Sequence, residues 1–126
     1  MRHVLAFHAK DPSVSDGQPS SETMASMQRL MNDFADALHS AGVMIAAEML
    51  GPSIDTVTVT RQTGSTVIED GPFPAVKESL AGVLIIDVPN RDAALAWAER
   101  FPGTSYGTVE VRAVGASYIR GAWQQQ

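Results

Sequence analysis

Apolar and polar positions along this chain repeat in two rhythms, and the changes between them mark out the predicted elements. Val4 to Phe7 is short, apolar and β-leaning, and it ends at His8 before the polar run Lys10-Asp11-Pro12-Ser13, so it reads as a first strand. From there to Ser20 no apolar period survives, and Pro12, Asp16-Gly17 and Pro19 predict a long surface loop. Met24, Met27, Leu30, Met31, Phe34, Leu38 and Ala41 then recur at spacings of three and four, which places one apolar stripe along a helix. Ser20 or Ser21 can cap it, Glu22 lies in its first turn and Gly42 stands just past its end. The methionines of the stripe fill a core or line an adaptable pocket, and core filling is the expectation.

Val43 to Leu50 is a second apolar strand stopped by Gly51-Pro52, with Glu48 its one charged residue, placed at an exposed end or in a pocket. Thr56 to Thr60 and Thr66 to Glu69 alternate with period two and are linked through Gln62 to Ser65, predicting a hairpin with one solvated face. Leu80 to Val88 is nearly continuous in apolar residues, as in a central strand covered on both faces. Val83 and Ile85 fall on one of its faces, and Leu84, Ile86 and Val88 on the other. Asn90 caps a second helix with Ala94, Trp97, Ala98 and Phe101 inward, ended by Pro102-Gly103. Thr108 to Val114 alternates as the last strand, and residues 115–126 read as a flexible tail.

With the hairpin set aside, the order is βαββαβ. This predicts one α+β domain over residues 1–126, ferredoxin-like with an inserted β-hairpin and two helices on one face of four strands. The other face of the apolar central strand then needs a cover, which a face-to-face homodimer supplies.

Composition narrows the functional classes. Hydrophobic residues make up 44% of the 126, enough for a core without metal or disulfide help. No apolar run approaches the ~20 residues of a membrane span. The short apolar stretch behind Met1 is no signal peptide, so the expected location is cytoplasmic, away from membranes. The absence of cysteine removes thiolate catalysis, disulfides and zinc ribbons. Net charge is −5 and the nine Lys and Arg are scattered, so nucleic acid is not an expected partner. His3, His8 and His39 lack short metal-ligand spacing, and phosphate-loop, dinucleotide and Gly-x-Ser-x-Gly signatures are missing. No obligatory metal or cofactor is expected.

The chemistry gathers around Asp70-Gly71-Pro72-Phe73, the charged Lys77-Glu78 and the strand behind them. An imidazole can change charge near neutral pH, so His8, beside a loop, is a candidate to take and return protons. Asp70, fixed before Gly71-Pro72, can orient His8, act as a base, or close its own turn through backbone amides. Lys77 and Glu78 are adjacent and cannot share a helix face, so one reaches a pocket while the other is solvated, or both are surface charges. Glu110 and Arg112, two apart in the last strand, share a face and read as structural.

Asp70-Gly71-Pro72-Phe73 with Lys77-Glu78, Ala94 to Ala98 around Trp97, Phe101-Pro102, and Gly107 through Glu110-Val111-Arg112 resemble the DGPF subgroup of YCII-related proteins, in order from about Val4 to Val114. The resemblance implies a dimeric α/β barrel and a histidine and aspartate pair at the active site, carried here by His8 and Asp70. Ala75 stands where the family often has an acid, and Ala113 where it has proline. The expectation is a cofactor-independent enzyme of isomerase or lyase type acting on a small anionic or aromatic ligand. Glu48, Phe73, Lys77 and Glu78 are its substrate-binding candidates. The alternative is a non-catalytic accessory or regulatory domain, since proteins resembling this family are often encoded beside alternative sigma factors.

Overall fold

The computed structural model describes residues 1–10, 20–72 and 78–126. The loop expected before Ser20 and the roles given to Phe73 and Lys77 fall outside the described residues. Strand β1 (Arg2–Lys10) lies inside a four-stranded antiparallel sheet between β5 (Glu78–Asp87) and β6 (Thr108–Ala113), with β2 (Met44–Met49) beyond β5. Helix α1 (Ser21–Ser40) joins β1 to β2, and α2 (Arg91–Arg100) joins β5 to β6. Element order and strand pairing are those of a ferredoxin-like α+β fold, and the described residues of the single chain close no barrel.

Local chemistry explains the helix ends. The Ser20 hydroxyl accepts the amide proton of Thr23, and the Asn90 side chain accepts that of Ala93, so each helix begins on a capped turn. Only Phe34 and Leu38 of the α1 stripe are buried, with Met31 packed partly against the core. Met24 and Leu30 are half exposed, so the N-terminal part of the stripe does not fill the core as expected.

Alternation along β1 sends His3, Leu5, Phe7 and Ala9 into the core beneath both helices, where they meet Leu84, Ile86, Leu38, Ala94 and Phe101. Phe101 stacks edge-on with Phe7 at 4.9 Å and with Phe34 at 5.4 Å. Tyr106 reaches this cluster from the outside, edge-on to Phe7, and partial burial raises its phenol above the ordinary tyrosine value. One core polar atom, Nδ1 of His3, is buried without a hydrogen-bond partner.

The opposite sheet face is open. Val4 and Ala6 of β1 and Val83 and Ile85 of β5 are only partly buried there, so within the single chain the described residues cover the central strand completely only on the helix side. The predicted hairpin forms a separate two-stranded sheet of β3 (Val57–Thr60) and β4 (Val67–Asp70). Val57, Val59 and Ile68 stay 54%, 64% and 67% exposed, so the described residues leave the hairpin's apolar face uncovered. After β4 the chain turns at Gly71, whose φ of 106° needs a residue without Cβ; its amide donates to the Thr56 carbonyl at 2.7 Å.

Residues 115–126, expected as a tail, instead carry a hairpin of β7 (Ala116–Ile119) and β8 (Ala122–Gln125). Its two-residue turn, Arg120-Gly121, has positive φ at both positions, the geometry that matches the twist of antiparallel strands. Tyr118 and Trp123 pair across it with ring centroids 5.4 Å apart, and both remain exposed. No helix among the described residues is long and apolar enough to cross a membrane.

Candidate functional site

The open face of the sheet brings several candidate polar side chains together. Because Phe7 points into the core, His8 points the other way, onto the open face. Thr108 of β6 lies directly opposite His8, and Glu110 stands two residues further on, opposite Ala6. That diagonal is within reach of two long side chains, and Nε2 of His8 sits 2.8 Å from Oε1 of Glu110. The imidazole is 28% exposed and the carboxylate 64%, so the pair lies at the surface of the single chain.

A register irregularity brings a second carboxylate to the same place. Phe7 pairs with Gly82 but His8 pairs with Leu80, which leaves Ala81 as the extra residue of a bulge in β5. Unbroken alternation from Val83 would have turned Leu80 and Glu78 toward the helices. The bulge turns both to the open face, and the Thr108 hydroxyl donates to Oε2 of Glu78 at 3.4 Å. Gly107 makes the close pairing possible: a Cβ there would lie 2.5 Å from the His8 carbonyl oxygen and 2.6 Å from the Phe7 ring. Only glycine lets β6 approach β1 at this level.

The residues singled out from sequence fare differently. Glu48 is on β2 opposite Val83, in the same cross-strand row as Ala6 and Glu110, so it shares the open face. Three strand spacings, about 14 Å, separate it from Glu110. Glu78 lies close to His8 through Thr108. Asp70 ends β4 in the separate hairpin, opposite Val57, and no hydrogen bond or ion pair joins it to His8. Glu110, read as structural, proves to be the carboxylate next to His8. The period-two pattern put Glu110 on the correct face, but the register that sets it diagonal to His8 depends on tertiary pairing.

Among the described residues no cluster of three His, Asp or Glu side chains is arranged to hold a metal ion. A surface cleft of about 210 Å³ between Leu30, Asp33 and Phe34 of α1 and Arg100 and Pro102 lies by the helices, not on the His8 face. It falls below the usual size of a small-molecule site. The open face itself offers an aliphatic floor of Val4, Ala6, Val83 and Ile85, with His8, Glu110, Thr108 and Glu78 gathered at one end. An imidazole beside carboxylates and an apolar floor can bind a small carbon skeleton and move a proton.

Comparison with known proteins gives two findings. The family described as the YCII-related domain matches residues 1–116. An uncharacterized protein of Rhizobium meliloti (strain 1021) is 32% identical over 114 residues, covering 86% of this chain and 87% of that protein.

Proposed function

The chain belongs to the YCII-related family, and from that premise we propose that it is a cofactor-independent small-molecule enzyme, of isomerase or lyase type, that transfers protons through His8. The observation that supports this most directly is the half-buried imidazole 2.8 Å from a carboxylate, at the end of an aliphatic sheet face. Asp70 completes the catalytic pair that the DGPF-type motif implies, with Glu48, Phe73, Lys77 and Glu78 as the substrate-binding set. Two copies bring their open faces together as a dimeric α/β barrel, and the space between the sheets becomes the pocket. The expected ligand is small and anionic or aromatic.

Proton transfer at carbon leaves a trace that can be followed before the product is identified. The chain is incubated with a metabolite mixture in heavy water, and deuterium entering carbon positions is read by NMR and mass spectrometry. His8→Gln should abolish the incorporation, and Asp70→Asn should weaken it. Incorporation that survives His8→Gln unchanged would refute the proposal.

A second reading, an accessory domain in sigma-factor-linked regulation, draws support from the exposed Val59, Ile68, Tyr118 and Trp123, which offer apolar surface to a protein partner. Co-sedimentation with purified alternative sigma factors tests it: no complex at micromolar concentration counts against it.

A further inference from the structure

His8 has a carboxylate neighbour that the histidine and aspartate pairing does not include, and elementary electrostatics says what that neighbour does. A carboxylate oxygen is an acceptor only, and so is an unprotonated imidazole nitrogen. Two acceptors 2.8 Å apart would repel, so a proton lies between Nε2 of His8 and Oε1 of Glu110. We propose that Glu110 is the positioning residue of His8, holding the imidazole on the open face with its proton on Nε2 and its Nδ1 lone pair free for a ligand. The proposal rests on the reading of His8 as the proton carrier, and it names the atom that accepts the proton.

Three further observations support it. Among the described residues no hydrogen bond or ion pair involves Nδ1 of His8, and the contact to Glu110 runs through Nε2 alone. Gly107 locks β6 against β1 at this level and so fixes the diagonal that brings Glu110 to the ring. Thr108, the residue directly opposite His8, donates to Glu78 and so leaves the imidazole to Glu110. In the reaction, Nδ1 accepts a proton from a carbon of the ligand while the C–H electron pair moves into the ligand's π system. The imidazolium so formed is stabilised by the Glu110 carboxylate. Returning the proton to a second carbon completes an isomerisation. In an elimination the C–H electron pair instead forms the new π bond, the leaving group departs with its own bonding pair, and the imidazolium gives its proton to that departing group.

The test is spectroscopic and does not depend on finding the substrate. In long-range proton–nitrogen correlation spectra of the labelled full chain at neutral pH, His8→Gln and His39→Gln assign the imidazole signals. For the unaltered chain we expect His8 to show an Nε2–H proton that is shifted downfield and slow to exchange with water. Glu110→Ala should lose that signal to exchange, and Glu110→Gln, which keeps an acceptor, should retain it at higher field. Glu110 is 64% exposed, so both variants should keep the dispersed amide spectrum of the folded chain. An Nε2–H signal indifferent to Glu110→Ala, or a proton on Nδ1 of the unaltered chain, would overturn the proposal. Deuterium incorporation that survives His8→Gln refutes the proton-carrier reading and leaves this spectrum unchanged, so the two failures can be told apart.

Discussion

Replacing Gly107 by alanine should loosen the sheet at the candidate site. The added methyl would sit 2.5 Å from the His8 carbonyl oxygen, 2.6 Å from Cε1 of Phe7 and 3.2 Å from Cβ of Ala9. The first neighbour is backbone of β1, and the second belongs to a ring that is 5% exposed and stacked on Phe101, so neither can yield cheaply. Overpacking of this kind costs ~1–3 kcal/mol. With a urea dependence of ~2 kcal/mol per molar, the unfolding midpoint should fall by roughly 0.5–1.5 M. Gly115 provides the control: no atom lies within 4 Å of its Cβ position, and its φ is not in the left-handed region. Gly115→Ala should therefore be neutral, or stabilising by up to ~1 kcal/mol through a less flexible unfolded chain. The steric argument further requires the loss at Gly107 to reach His8, because moving β6 breaks the diagonal to Glu110. Equal midpoints for the two variants, with the His8 ring signal unchanged, would refute the reasoning.

Other consequences can be measured separately. Asp at both Val83 and Ile85, on the open face, should give monomers or aggregates if that face pairs with a second copy, and sedimentation of the unaltered chain as a folded monomer at micromolar concentration would count against the dimer. His3→Leu removes a buried nitrogen that lacks a partner and should leave stability unchanged or raise it by up to ~1–3 kcal/mol; a loss of that size would mean that His3 is satisfied in solution. In a Tyr118→Phe chain, absorbance at 295 nm reports Tyr106 alone, which should ionise above the ordinary value of ~10 because burial disfavours the phenolate. A phenol raised in the folded state contributes stability that is complete below ~10 and is lost as pH rises through the raised value, so a midpoint at or below 10 would contradict the packing against Phe7.

Much of the fold was legible because it is written in local periodicity. The stripe from Phe34 to Leu38, the caps at Ser20 and Asn90, the central strand through Leu84 and Ile86, and the Thr-rich hairpin all follow from spacing and capping chemistry. The final hairpin was missed because its strands are four residues each and its turn is Arg-Gly rather than Asn-Gly or Asp-Gly. Its signal was there in Tyr118 and Trp123, one on each side of a two-residue turn. The candidate site was half legible: His8 stood out by its chemistry, and Glu78 by its place in the charged segment. Glu110 looked like half of a pair with Arg112, because which residue faces which across a sheet is decided by register, and one sequence does not specify that.

The bulge at Ala81 acts on the strand as a change of parity. On its C-terminal side the even-numbered residues Gly82, Leu84 and Ile86 face the helices; on its N-terminal side the even-numbered Glu78 and Leu80 face away from them. A single extra residue has therefore inverted inside and outside for one end of the strand, without moving the other. Relatives that differ by one residue in this stretch would exchange an acid for a core position, and their positions before and after Ala81 have to be aligned as two separate words rather than as one.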